Sequence, residues 1–135
     1  MKKSGGSLDT NVLLRLLLND VPAQHSAAKM LLSEASGQVS VADTAIIELV
    51  FVLERHYELT REQIAEATTG ILQLKEINAN RALFEMALPI YVDSLALSFE
   101  DCCLSAYAKI DDTEPLWTFD KKLANQSPSA KLLEN

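Results

Sequence analysis

The sequence has little of what builds metal–sulfur, disulfide or nucleotide-cradle sites. Two cysteines, Cys102 and Cys103, and two histidines, His25 and His56, are all that 135 residues contain. That is too few for the Cys/His zinc frameworks or a multi-disulfide scaffold, and a reducing, cytoplasmic setting is the expectation. Of four glycines, Gly5 and Gly6 stand together while Gly37 and Gly70 are isolated. Neither GxxxxGK[ST] nor GxGxxG occurs, so no glycine loop cradles a phosphate. No apolar run approaches the roughly 20 residues that a membrane span needs. Met1-Lys2-Lys3 and the apolar Val12–Leu18 run have a faint signal-peptide look, but Asp9 and Arg15 interrupt it and no small-residue cleavage site follows. Basic residues are outnumbered 12 to 19 by acids, giving a net charge of −7 and arguing against a surface for avid non-specific DNA binding. Aromatics make up only 6% of a chain that is 48% hydrophobic, so the core is aliphatic and sized for one domain.

Short β-rich runs alternate with helical ones. Residues 11–18 read as a short helix, and Pro22 opens a second that runs to Ser36 with Gly37 as its stop. Val39–Val41 is a short strand. Asp43 can cap an apolar helix from Thr44 to about Tyr57, and Thr60-Arg61-Glu62-Gln63 is a capping box for another through about Leu74. Glu76–Asn78 is a weak strand or turn. Asn80 caps a helix carrying Leu83, Phe84, Met86 and Ala87, within which Pro89 should kink or divide the chain. Ser98 opens a helix through Ile110, Leu116–Phe119 has strand composition, Asp120 caps a turn over Lys121–Asn125, and Ala130–Leu133 is a last strand. The order predicts an α/β fold with a mostly parallel sheet and helices on both faces. Residues 1–7 read as a flexible leader to a single domain over residues 8–135.

Four carboxylates lie where apolar elements end or are interrupted. They are Asp9 in Leu8-Asp9-Thr10-Asn11, Glu48 in Ile46-Ile47-Glu48-Leu49-Val50, Asp101 in Phe99-Glu100-Asp101-Cys102, and Asp120 in Thr118-Phe119-Asp120. Each has a plain structural alternative. Asp9 and Asp120 are good N-caps, and Asp101 completes a Ser98-x-x-Asp101 capping arrangement. Glu48 is hemmed in by apolar neighbours, and a buried carboxylate costs several kcal/mol unless paired, with Arg15 or Arg81 for instance, or bound to a cation. In an open parallel sheet, ligands collect beyond the carboxyl ends of strands, where Asp9 and Asp120 would lie. Carboxylates converging there repel unless cations intervene, and oxygen ligands without Cys or His select Mg²⁺ or Mn²⁺. Such ions activate water for phosphodiester hydrolysis.

The order and context of these motifs, Leu8-Asp9-Thr10-Asn11-Val12-Leu13-Leu14, Ile47-Glu48-Leu49-Val50-x-Val52-Leu53, Phe99-x-Asp101 and Thr118-Phe119-Asp120-x-x-Leu123, resemble the PIN-domain nucleases, and within them the VapC-type toxins of toxin–antitoxin pairs. The resemblance spans about residues 8–133. It implies a three-layer α/β/α sandwich with a short, mostly parallel central sheet. It also implies a metal site of Asp9, Glu48, Asp101 and Asp120 holding one or two Mg²⁺ or Mn²⁺ ions, with Thr118 supporting it and Asn11 either positioning Asp9 or capping the helix. The partners implied are an RNA substrate, an antitoxin protein gripped by the early helices and the turn near Thr60–Leu74, and a second copy of the chain. In such toxins an apolar strand usually precedes the first Asp, whereas Lys3-Ser4-Gly5-Gly6-Ser7 stands here.

Among the cations, Lys121 and Lys122, beside Asp120, are the best placed to meet substrate phosphate, and Arg15 is a weaker candidate. Cys102 and Cys103 point some 100° apart on a helix and read as core residues rather than a redox pair; His25 and His56 read as surface or helix-end residues. The first helix is apolar nearly all round, as a partner-facing or a core helix would be. The function expected is a Mg²⁺-dependent endoribonuclease toxin. The alternative is a non-catalytic PIN-like module whose acidic pocket seats a basic peptide. An Asp-x-Asp-x-Thr phosphatase is disfavoured because Asn11 replaces the second Asp, and a receiver domain because no second acid adjoins Asp9.

Overall fold

A computed structural model describes residues 5–35 and 38–134. The chain forms two compact units, Met1–Asn80 and Arg81–Asn135. The first carries helices α1 (Thr10–Leu17), α2 (Pro22–Glu34), α3 (Asp43–His56) and α4 (Arg61–Leu72) with strands β1 (Val39–Ser40) and β2 (Ile77–Asn78). The second carries α5 (Arg81–Asp93), α6 (Phe99–Ile110) and α7 (Lys121–Gln126) with β3 (Leu116–Thr118) and β4 (Ala130–Leu132). Both strand pairs are parallel, so the α/β reading and the parallel pairing hold, as two two-stranded ladders among the described residues. None of the helices described is long and apolar enough to cross a membrane.

In the first unit, Val39 pairs with Ile77 and both are fully buried. On the other edge of β1, Ser40 N–H donates to Gly6 O at 2.8 Å and Leu8 N–H to Ser40 O at 2.9 Å, making a short parallel bridge between Ser7 and Ser40. Gly6 enters it at φ +94°, a region only glycine takes without strain. The described part of the expected leader, Gly5–Ser7, is thus hydrogen-bonded strand edge leading directly to Asp9; residues 1–4 lie outside the description. Packed against α1 and α4, α3 buries Ile46, Leu49, Val50 and Leu53, the i, i+3, i+4, i+7 face of a helix. Each such side chain removed from water contributes about 1.5–3 kcal/mol.

Three details of the sequence reading change. The expected stop of α2 at Gly37 lies outside the described residues, and Ala35 is the C-cap. Asp43 is the first residue inside α3, whose N-cap is Ala42; its carboxylate accepts from Asn80 Nδ2 at 3.3 Å and favours the helix dipole from within the first turn. Pro89 does not divide α5, which runs unbroken from Arg81 to Asp93. Its ring lies on the exposed side, where water can meet the Glu85 carbonyl that loses its N–H partner.

In the second unit, three of the chain's few aromatics hold α5 to α6. Phe84 stacks on Phe99 with centroids 6.1 Å apart, and Tyr91 meets Phe99 edge-on at 5.2 Å. Cys102 and Cys103 are buried and unbridged, as expected of core residues. Phe99 opens α6, so this cluster fixes where that helix begins.

Loop ends are tied by polar contacts. Arg15 pairs with Asp20, whose second oxygen accepts from Tyr57 Oη at 3.1 Å, linking the end of α1 to the end of α3. The Arg15 hydrogen bond holds the Asp20 carboxyl below the usual carboxylate range, with Tyr57 adding to it. The lowered carboxyl stabilises the fold above the unfolded pKa, about 3.9, and that stabilisation disappears as pH falls through the folded value. The stability difference between wild type and Asp20→Asn, followed by urea unfolding across pH, should be level near neutrality and shrink only below about pH 4. The capping box at Thr60 is complete, with Gln63 N–H donating to Thr60 Oγ1 at 3.1 Å and Thr60 N–H to Gln63 Oε1 at 2.9 Å. Thr60→Ala should lower unfolding stability by about 1 kcal/mol in the same measurement.

Candidate active site

The carboxylates singled out in the sequence fall two to each unit. Asp9 is the N-cap of α1, immediately past the segment that bridges β1; its Oδ1 accepts from Val12 N–H at 3.1 Å. Asp120 is the N-cap of α7, two residues past β3, and its Oδ1 accepts from Lys122 N–H at 2.9 Å and Leu123 N–H at 3.4 Å. Asp101 is half-buried in the first turn of α6, its own N–H donating to Ser98 Oγ at 3.1 Å. All three acids lie at the N-terminal end of a helix, where a negative side chain stabilises the helix dipole. The caps engage one oxygen only. Oδ2 of Asp9 and of Asp120 meets no donor within its own unit among the described residues.

Glu48 corrects the sequence reading. It is exposed, because the helical period that buries Ile46, Leu49, Val50 and Leu53 turns it outward. No burial cost attaches to it, and the expected ion pair with Arg15 is not made, since Arg15 pairs with Asp20. The same pair occupies the guanidinium that the sequence offers as a weaker phosphate contact. Asn11 sits in the first turn of α1 with no hydrogen bond of its side chain among the described residues, so Asp9 alone caps the helix. Asp9, Asn11 and Arg15, with Gln24, Ala27 and Leu31 of α2, line an open cleft of about 360 Å³.

Thr118 does more than fill a strand. Its Oγ1 accepts the N–H of Asp120 at 2.9 Å, which fixes the backbone on which the Asp120 carboxylate is mounted. Lys121 and Lys122 follow it, both exposed. His25 takes the helix-end role expected of it, its Nδ1 2.6 Å from the Arg15 carbonyl oxygen near the end of α1.

One positioning residue escaped the sequence reading. Thr10 Oγ1 donates to the Ala45 carbonyl at 3.1 Å, clamping the start of α1 to the first turn of α3. Glu48 is one turn beyond Ala45 on the same face, so this bond relates Asp9's helix start to Glu48's helix. A threonine in a first helical turn carries no signal of such a partner 35 residues away in sequence.

As a donor set, two carboxylates per unit with free oxygens suit a hard cation such as Mg²⁺ or Mn²⁺ and not zinc. Within each unit, among the described residues, no three His, Cys, Asp or Glu side chains stand together as a metal site. Asp9 and Glu48 of the first unit, and Asp101 and Asp120 of the second, are the candidates the sequence offers for such a cation.

Compared with known protein families, residues 7–127 match the PIN domain, which covers most of the chain. No curated protein matches it.

The Thr10 clamp is testable without reference to activity. Thr10→Val, which keeps the shape and removes the donor, should lower thermal-unfolding stability by about 1 kcal/mol, and Thr10→Ser should retain most of it. Equal stability of wild type and Thr10→Val would remove the clamp from the account.

Proposed function

The chain belongs to the PIN domain family, in general a fold of metal-dependent nucleases, and from that premise we propose that it is a Mg²⁺-dependent endoribonuclease, the toxin of a toxin–antitoxin pair. The observation that carries this reading is the mounting of the aspartates. Asp9 follows the parallel bridge at Ser7 and Asp120 follows strand β3, each is held by a capping bond through Oδ1, and the second oxygen of each meets no donor within its own unit among the described residues. Capping rigidifies the carboxylate and leaves it able to bind.

Asp9, Glu48, Asp101 and Asp120 would hold one or two Mg²⁺ or Mn²⁺ ions. When bound, the cation supplies Lewis-acid polarisation of the phosphate and lowers the pKa of water. The chain's own groups supply position. Thr118 fixes the Asp120 backbone, Ser98 caps the helix that carries Asp101, and Thr10 clamps the start of α1. Lys121 and Lys122 offer charge to the RNA backbone. In the hydrolysis, a water oxygen bonds to phosphorus in line with the departing ribose oxygen; the P–O bond breaks, and the proton shed by water ends on solvent while the leaving oxygen takes up another. In this proposal the protein acts in the cytoplasm, pairs with a second copy of itself, and is restrained by an antitoxin that contacts the early helices.

The test is cleavage of single-stranded RNA with Mg²⁺, with EDTA, and by Asp101→Asn. Cleavage should need Mg²⁺, stop with EDTA, and fall by at least about 100-fold in Asp101→Asn, the order lost with one electrostatic group of an active site. Equal cleavage in all arms would sink the metal mechanism. Intact RNA in every arm would favour the non-catalytic binding module.

A further inference from the structure

The β3–β4 ladder turns one face to solvent, and that face is aromatic. Burial alternates along both strands: Leu116 and Thr118 are half-buried, while Trp117 is 55% and Phe119 65% exposed. Across the ladder Ala130 and Leu132 are half-buried, while Lys131 and Leu133 are exposed. Side chains paired in register across two strands share a face, so Trp117 and Lys131 stand on the exposed side of the ladder, and Phe119 and Leu133, the residues immediately past the ends of β3 and β4, are exposed too. Trp117 is the register partner of Lys131, whose Nζ lies 5.8 Å from the indole centroid.

Exposed aromatic pairs are costly in water and mark binding surfaces. What would bind follows from charge and shape. From Leu116 to the end of the chain there are three lysines, Lys121, Lys122 and Lys131, against two acids, Asp120 and Glu134, in a chain whose net charge is −7. The segment is locally cationic in an acidic protein, which suits a polyanion. Flat rings beside lysines are the elements with which proteins hold single-stranded nucleic acid, the bases stacking and the cations meeting phosphate. An aliphatic protein partner would meet a lysine in the middle of this patch and have to desolvate it.

We propose that Trp117 and Phe119 form a stacking platform for bases of single-stranded RNA, with Lys131 and Lys122 neutralising the adjoining phosphates. The platform rests on the nuclease reading above and deepens it. Phe119 directly precedes Asp120, so bases stacked there would deliver the neighbouring phosphate to that carboxylate. Unpaired RNA becomes the preferred substrate, because a duplex hides its base faces.

Trp117 is the only tryptophan and therefore a built-in probe. The full-length protein, in EDTA so that nothing is cut, is titrated with a short single-stranded oligoadenylate while tryptophan emission is followed, and separately with the same strand annealed to its complement. The single strand should quench the emission and the duplex should not. Phe119→Ala, which keeps the fluorophore and removes only an exposed ring, should bind about tenfold more weakly, while Phe51→Ala, which removes an exposed ring of α3, should quench as wild type does. No quenching, equal quenching by duplex, or unchanged affinity in Phe119→Ala would overturn the platform. So would a concentration-dependent emission change without RNA that tracks dimer formation in sedimentation, since a second copy would then own the face. Failure of the nuclease reading looks different: quenching persists in EDTA while no RNA is cut with Mg²⁺.

Discussion

A helix that starts just after a parallel strand begins with several backbone N–H groups that no helical carbonyl can reach. In this chain aspartates answer that need at two such starts. Asp9 caps α1 and Asp120 caps α7, each through Oδ1. The bond that stabilises the helix also restrains the rotation of the carboxylate while engaging only one of its oxygens. Cap and ligand are therefore not rival descriptions of these residues. The local requirement of the helix builds the rigid donor that cation binding would use. Asp101 is a variation, with Ser98 as the cap and the acid one turn further in, carried on a helix whose first residue is fixed by the Phe84–Phe99–Tyr91 cluster.

The supports behind the acids come from small polar groups. Thr118 holds the Asp120 backbone and Thr10 holds the first turn of α3. Neither carries charge and each makes one hydrogen bond of ordinary strength, worth about 1 kcal/mol. Their value lies in position, since a carboxylate needs a defined backbone beneath it before one free oxygen can serve as a ligand. The acidity of the chain has a similar double character. It disfavours indiscriminate contact with polyanions, so a surface that is to meet one has to gather its few cations locally, and Lys121, Lys122 and Lys131 fall within one short segment.

Much of this organisation was legible in the residues. The capping box at Thr60, the caps at Ser98, Asp9 and Asp120, the parallel strands and the buried cysteines all follow from signals within a few positions of the residue concerned, and the PIN-domain resemblance rested on such short motifs. Where the reading changed, a longer-range fact decided. Glu48 looked trapped because its sequence neighbours are apolar, but the helical period turns it outward while Ile46 and Leu49 turn in. Pro89 looked disruptive, but its ring faces water. Arg15 looked available to substrate or to Glu48, but the loop after α1 brings Asp20 to it.

The sequence by itself determined the family and the α/β class and offered four acids as site candidates, because each is written in local propensity, capping chemistry and motif order. The tertiary structure alone decided what stands behind and beside the acids. It set Gly5–Leu8 as a strand edge ahead of Asp9, joined Thr10 to Ala45 across 35 residues, and left Trp117 and Phe119 uncovered beside Lys131. The reason is physical: a cap is a contact between near neighbours in the chain. A clamp or an exposed face depends on which distant segments pack together, and the residues that meet there carry no local mark of it.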